Sequence, residues 1–414
     1  MELKRVVVTG LGAISPLGKT VESTWQGLIN GVSGAGSITH FDASKFKTTF
    51  ACEVKDYDPA VYFGKEARKM DPFTQFGTIA ADEAILDSKL DLDTVDKDQV
   101  GVIWGAGIGG IHTFFEEIKS YVEGDGTPRY NPFFIPKMIA DICPGQIAIK
   151  YGFTGPNFGT VSACASSTHA IATALDLIRL GKANVIVSGG SEAAITPPGV
   201  GGFSSMKALS NRNDDPKTAS RPYDKGRDGF VIGEGGACLI LEEYEHAKKR
   251  GAHIYCELVG AAFSADAYHM TAPHPEGTGA AKVMADALKD AGLQPSDIDY
   301  INTHGTSTPL GDIGEVKAVV KVFGDAAYKL NISSTKSMTG HLLGATGAME
   351  SIACIKTIEQ GIIPPTINHF EDDPNIDNNL NFTFNTAQNR TVRAALSNTF
   401  GFGGHNSSVI FKAL

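Results

Sequence analysis

The chain has 414 residues, 42% hydrophobic and 20% charged, with 36 basic against 46 acidic side chains and a formal net charge of −10. Such a composition excludes disorder and a collagen-like chain, and no apolar run approaches the roughly 18 residues of a membrane span. The acidic balance opposes nucleic acid or an anionic membrane as the general partner.

Lys4 and Arg5 before Val6-Val7-Val8 mimic a secretion signal, but Gly10, Gly12 and Pro16 cut the apolar stretch short, so no export is expected. β-Branched runs then predict strands over 6–8, 100–104, 184–188, 237–241, 299–302, 331–333 and 408–411. Helical periodicity predicts helices over 75–87, 166–180, 279–291 and 345–360, the second and fourth ended by Gly181 and Gly361. The alternation is that of an α/β fold with buried strands. Six cysteines stand singly without a CxxC pair, which fits reduced thiols and a cytoplasmic location.

The chain also echoes itself. Ser162-Ala163-Cys164 leading into the helix that ends at Gly181 is matched by Ile332-Ser333 leading through Lys336 and His341 into the helix that ends at Gly361. Gly233-Glu234-Gly235-Gly236 before a strand is matched by Gly401-Phe402-Gly403-Gly404 before another. A repeat of this length predicts two packed halves rather than a solenoid, joined near 250–255.

Gly105-Ala106-Gly107-Ile108-Gly109-Gly110 satisfies the GxGxxG pattern of dinucleotide sites, but no acidic residue ends a second strand about 20 residues on, and tight turns are the better reading. Cys164 lies at a strand-to-helix junction. It is either a buried small hydrophobe or a thiol whose pKa the helix N-terminus lowers. His304 in Asn302-Thr303-His304-Gly305-Thr306 and His341 in Lys336-Ser337-Met338-Thr339-Gly340-His341 each follow a strand. Alone, each reads as a structural histidine; with Cys164 they read as one constellation. Zinc is the rival for such a set, but the ligands lack short-range pairing and a fourth candidate, so no metal is expected. His269 and His274 read as loop residues. A cysteine can exchange one thioester for another at little thermodynamic cost, and two neutral imidazoles can donate hydrogen bonds to a thioester carbonyl as it becomes an enolate.

These residues resemble the β-ketoacyl-acyl-carrier-protein synthases, and most closely their elongation type II members. The likeness rests on 160–167, Gly189-Gly190-Ser191-Glu192, Arg221-Pro222-Tyr223-Asp224, Arg227-Asp228-Gly229-Phe230, His304 through Asp312, Lys336 through Gly344, and Asn398 through Gly404, and it covers essentially the whole chain. It implies a thiolase-type α/β fold, two similar βαβαβαββ-like halves in a five-layer α-β-α-β-α arrangement. Residues 1–252 would carry the nucleophile and capping insertions, and 253–414 the two histidines and the glycine-rich loop. The implied reaction is a decarboxylating Claisen condensation of malonyl-carrier with acyl-carrier in fatty-acid elongation, by a cytoplasmic homodimer. No cofactor is implied, since phosphopantetheine arrives on the acyl carrier protein.

Carried over on the same resemblance, Cys164 is the nucleophile, and His304 and His341 bind the malonyl thioester and stabilise its enolate. The backbone N–H groups of Cys164 and Phe402 form the oxyanion hole. Lys336 supports the histidines, paired with an acid between Asp312 and Glu315, while Glu350 is a further supporting carboxylate. Thr306 and Thr308 hold the pantetheine arm, Phe400 and Phe402 border the acyl site, and Ile108 lines the far end of the acyl pocket. Lys65, Arg68 and Lys69, on one helical face at i, i+3 and i+4, would meet the acidic carrier together with Arg129 and Lys207. One departure is His405, which follows Gly404 where the better-known members have threonine. Three neighbouring readings are a polyketide-type ketosynthase of a specialised pathway, a thiolase-like enzyme using coenzyme A, which would employ a second cysteine, and an inactive chain-length partner, which would have lost Cys164.

Overall fold

The computed structural model describes residues 3–414. Among them, one mixed sheet contains ten strands. The first five are β1 (Val6–Ile14), β2 (Val100–Gly105), β3 (Asn157–Thr160), β4 (Val185–Glu192) and β5 (Gly235–Glu243). The second five are β6 (Cys256–Ala265), β7 (Tyr300–Asn302), β8 (Asn331–Ser333), β9 (Ala394–Gly401) and β10 (His405–Lys412). Their order is β8-β7-β9-β10-β6-β1-β5-β4-β2-β3.

From the centre outward each half therefore runs first, fifth, fourth, second, third strand. The directions repeat as well: β2 is parallel to β3 and β4 as β7 is to β8 and β9, and the remaining pairs are antiparallel. The halves meet where Val7 and Val8 of β1 pair with Glu257 and Cys256 of β6. The echo in the sequence is thus a duplication of topology.

Five helices complete the frame: α1 (Pro72–Ser88), α2 (Ser166–Arg179), α3 (Thr278–Ala291), α4 (Pro309–Phe323) and α5 (Thr346–Gln360). Helices α2 and α5 touch each other and strands of both halves, so the two half-sheets close over them. Helix α1 covers the outer face of the first half, and α3 with α4 that of the second, which gives five layers. Residues Thr346 through Thr357 of α5 are buried without interruption, as a central helix requires. Ile171, Leu175, Met349 and Ile352 build this middle core, and burying each such side chain contributes about 1.5–3 kcal/mol. Strands covered on both faces read as continuous apolar runs, which is why β1, β2, β4 and β5 were visible in the sequence.

Strands β6 and β9 and helix α4 have no counterpart in the sequence reading, and β3 is the strand expected before Cys164, now bounded at Asn157–Thr160. Strand β9, Ala-Ala-Leu-Ser-Asn-Thr-Phe-Gly, buries Ser397, Asn398 and Thr399, and its polarity hid it. Asn398 and Thr399 find side-chain partners in Ser408 and Thr168, which makes their burial tolerable. No helix among the described residues is long and apolar enough to cross a membrane.

Candidate active site

The duplication brings two equivalent turns together. Before α2 the chain passes through Ala163 at φ +51° into a short 3-10 turn, Ala163–Ala165. Before α5 it passes through Leu343 at φ +48° into the matching turn, Leu343–Ala345. Each left-handed residue costs about 1–2 kcal/mol, so both turns are held by what surrounds them. Cys164 and Gly344 occupy corresponding places, and the reactive groups collect between the two turns.

The sulfur of Cys164 lies 3.0 Å from Nε2 of His341, whose Nδ1 is 2.9 Å from the Thr346 hydroxyl. The His304 ring stands across that of His341 at 86°, centroids 5.3 Å apart. One ligating atom from each of Cys164, His304 and His341 lies within 4.8 Å of the others; no further His, Cys, Asp or Glu joins the cluster among the described residues. The backbone N–H groups of Phe402 and Cys164 lie close enough to the sulfur to favour its thiolate form. That approach depends on Gly401, where a Cβ would sit 2.8 Å from the Ser162 carbonyl oxygen and 3.1 Å from the Cys164 nitrogen.

Burial decides the charge state. The Cys164 thiol, 8% exposed, is pushed up to about 12 by desolvation, with Lys336 and the Phe402 N–H pulling the other way. Of the two readings open for Cys164, the thiol lowered by the helix terminus is the one that burial opposes. Cys164 lies in the 3-10 turn that runs into α2, and loss of water outweighs the pull of the helix end. Both histidines are held well below the usual imidazole range, by burial first and then by the Lys336 charge. The resting group is a thiol facing two neutral imidazoles.

Lys336 is bonded to Glu350, and its Nζ is 3.5 Å from the Thr303 carbonyl. The expected pairing with an acid of the 312–315 stretch is not what the fold builds. Asp312 instead lies 3.4 Å from the Arg227 guanidinium and accepts a 2.9 Å bond from the Tyr223 N–H. Glu315 accepts 2.8 Å bonds from the N–H groups of His304 and Gly305. The reason is geometric: both acids lie on the first turns of α4, under the loop that carries His304, whereas Lys336 begins a short helix facing α5. Glu315 thereby fixes the backbone of His304. Burial raises Glu350 to about 8 and Glu315 to about 7, and in both the Lys336 charge opposes the rise.

A cavity of about 490 Å³ reaches Cys164, His304 and His341 and is lined by Phe400, Phe402, Thr306 and Thr308, with the exposed Lys207 also on its wall. The Thr306 and Thr308 hydroxyls are 3.0 Å apart. Sequence reasoning missed Phe203 and Phe230, which line the same cavity. Neither belonged to a pattern that distinguishes a pocket wall from core.

Ile108 is not part of that lining; it is 40% exposed, and its N–H donates to Glu192 at 3.1 Å. The loop that carries it gives its N–H groups to a carboxylate. This also explains the GxGxxG pattern, because the N–H groups of Gly107 through Gly109 surround the protein's own Glu192 rather than a phosphate. Lys65, Arg68 and Lys69 lie in a 3-10 helix, Gly64–Lys69, not an α-helix. At three residues per turn Lys65 and Arg68 align and remain exposed, while Lys69 turns away and pairs with Glu66 at 2.7 Å. Arg129 is exposed, 3.6 Å from Asp125.

Two stacked halves with a cysteine and two histidines buried between their turns define a thiolase-like ketosynthase. The family models agree: "Beta-ketoacyl synthase, N-terminal domain" matches residues 3–247 and "Beta-ketoacyl synthase, C-terminal domain" matches 255–370. The chain belongs to the β-ketoacyl synthase family. It is 50% identical over 413 residues to the 3-oxoacyl-[acyl-carrier-protein] synthase 2 of Synechocystis sp., covering 100% of this chain and 99% of the relative. The protein of the same name from Coxiella burnetii is 48% identical with the same coverage. Among solved structures, the ishigamide ketosynthase/chain length factor matches with TM-score 0.93 and 34% identity over 100% of both chains. A type II PKS ketosynthase bound to a hexaketide, in complex with its acyl-carrier protein, matches with TM-score 0.91 and 34% identity, again over 100% of both.

Proposed function

We propose that the chain catalyses the decarboxylating Claisen condensation of malonyl-acyl-carrier protein with a Cys164-bound acyl chain, giving 3-oxoacyl-acyl-carrier protein in fatty-acid elongation. The observation that carries this reading is the 3.0 Å approach of His341 Nε2 to the Cys164 sulfur beside a second neutral imidazole. Full-length identity of 50% to a 3-oxoacyl-[acyl-carrier-protein] synthase 2, against 34% to the type II PKS ketosynthase, favours elongation over a specialised pathway.

The Cys164 sulfur attacks the acyl thioester, its S–C bond forms as the bond to the pantetheine sulfur breaks, and the thiol proton passes to that leaving sulfur. Malonyl thioester then enters, and its carbonyl oxygen accepts hydrogen bonds from the two imidazoles. Its carboxylate leaves as carbon dioxide, and the bonding pair becomes an enolate. The enolate carbon attacks the acyl carbonyl, whose oxyanion the N–H groups of Cys164 and Phe402 receive. Collapse releases the product and the Cys164 thiolate, which takes up a proton. Each such oxyanion donor lowers the barrier by about 2.7–4 kcal/mol.

The partner this chemistry calls for is an acyl carrier protein, whose phosphopantetheine arm delivers both thioesters and leaves no need for a resident cofactor. Lys207 on the cavity wall and the exposed Lys65 and Arg68 supply positive charge for it. A second copy of the chain is the other partner. Edge strand β3 leaves one side unpaired, and Phe158 at 39% and Val161 at 63% exposure lie on or beside it. The six free cysteines are all buried, in keeping with a reducing cytoplasm.

Mass spectrometry after mixing the protein with acyl-carrier tests the reading. A thioester adduct on Cys164 is expected; no adduct, or an adduct elsewhere, refutes it.

A further inference from the structure

Glu192, at the end of β4, is fully buried and carries no role in the steps above. Its carboxylate accepts bonds from the backbone of both halves. From the first half come the N–H groups of Gly107 at 2.7 Å, Ile108 at 3.1 Å and Gly109 at 3.1 Å. From the second comes the N–H of Gly344 at 3.0 Å. A cradle of successive N–H groups is a strong anion site, and here a side chain fills it.

The cradle lies directly behind the reacting groups. A Cβ on Gly107 would sit 3.3 Å from the Ala163 carbonyl oxygen and 3.2 Å from the Gly344 nitrogen, and one on Gly344 would sit 2.1 Å from the Gly107 nitrogen. The backbones of the two halves therefore touch at Gly107 and Gly344: Gly107 packs on Ala163, the residue before Cys164, and Gly344 lies three residues after His341. By the duplication, the Gly344 N–H corresponds to that of Cys164, which favours the thiolate form of the sulfur. In the second half the equivalent donor is thus occupied by an internal carboxylate.

We propose that Glu192 is a positioning residue: by bonding Gly344 and the Gly107–Gly109 loop at once, it ties the His341 turn to the loop on which the Cys164 turn packs through Ala163, and so sets the spacing of sulfur and imidazole. Burial of its charge pushes the carboxyl up and the four charge-assisted bonds oppose that rise, leaving it raised to about 6. An amide in its place would keep the shape but turn an N–H₂ toward backbone donors. A shortened carboxylate would keep the charge and lose reach.

This inference rests on the condensing reaction proposed above. The test is steady-state condensation by the full chain and by Glu192→Gln and Glu192→Asp, with rates expressed per site that mass spectrometry shows can be acylated. For Glu192→Gln, kcat per acylated site is expected to fall about tenfold, a loss of near 1.4 kcal/mol of transition-state stabilisation, with KM for both carriers within about twofold of wild type. Glu192→Asp is expected between the two. A purely structural role would reduce the fraction of competent sites and leave kcat per site unchanged, and that result overturns the proposal. Failure of both variants to fold assigns Glu192 to the fold alone and overturns it equally. If the wild type forms no adduct on Cys164, the condensing reading fails instead, a distinct result.

Discussion

Nε2 of His341 stands 3.0 Å from the sulfur of Cys164, although 177 residues separate them in the chain. Duplication brings them together: each residue lies at the turn before the central helix of its own half, and the two turns face each other across one cleft. A single half has either the nucleophile or the imidazoles, never both.

Separating the two functions by mutation follows from this arrangement. Cys164→Ala is expected to abolish acyl loading and condensation while malonyl-carrier still loses carbon dioxide, because His304 and His341 remain to hold the enolate. Release of labelled carbon dioxide and intact-protein mass together read both activities. A Cys164→Ala protein without any decarboxylation would contradict the division of labour. Thr346→Val, which removes the hydroxyl 2.9 Å from His341 Nδ1, is expected to lower kcat about tenfold by freeing the ring.

The charge state gives a pH prediction. A thiol raised to about 12 is protonated at every working pH, and its thiolate fraction rises about tenfold for each unit of pH below that value. Alkylation of Cys164 by iodoacetamide should therefore climb steadily from pH 7 to pH 10. A plateau near pH 8 would show a thiolate–imidazolium pair in place of the neutral one.

Much of this site was legible in the sequence because its reactive residues sit in short runs of small residues after strands. Cys164 in Ser-Ala-Cys-Ala-Ser-Ser and His304 in Thr-His-Gly-Thr carry their context with them. What could not be read was pairing across the fold. Lys336 meets Glu350 rather than Asp312 or Glu315 because helix packing, not sequence distance, decides which buried acid faces it. The charge state of the thiol stayed open for a similar reason, since a helix terminus is visible in sequence and desolvation is not. Lys69 was misplaced because three and 3.6 residues per turn give the same basic pattern. Strand β9 escaped because its partners for Asn398 and Thr399 come from β10 and α2.

Lys336 acts on the histidines through its charge, which disfavours the imidazolium form of both. Lys336→Ala removes that charge, so the histidines become easier to protonate and the acid limb of the kcat profile should move to higher pH. A limb that stays in place would leave Lys336 with packing alone. The variant also leaves the Glu350 carboxyl buried without its partner, which should be visible as a lower Tm.

Edge strand β3 predicts assembly. Phe158→Glu together with Val161→Asp places charge on an unpaired, apolar edge, and sedimentation should change from a dimer of the 43.7 kDa chain to the monomer. A wild type that sediments as a monomer at micromolar concentration would refute the second copy as partner.

The last prediction concerns a methyl group. Gly401 has no side chain where the strand β9 meets the nucleophile turn, and a Cβ there would press within 2.8 Å of the Ser162 carbonyl oxygen and 3.1 Å of the Cys164 nitrogen. Neither is a flexible side-chain end that can swing aside, so the backbone itself must shift. The atoms displaced are those that hold the Cys164 and Phe402 N–H groups over the site where the oxyanion forms. Gly401→Ala is therefore expected to fold, since the methyl group adds little volume, yet to lose about 10²–10³ in kcat, the cost of one misplaced oxyanion donor. Because the imidazoles are untouched, decarboxylation of malonyl-carrier should fall far less than condensation. Equal losses in both would mean that the glycine serves the shape of the whole cleft and not the oxyanion.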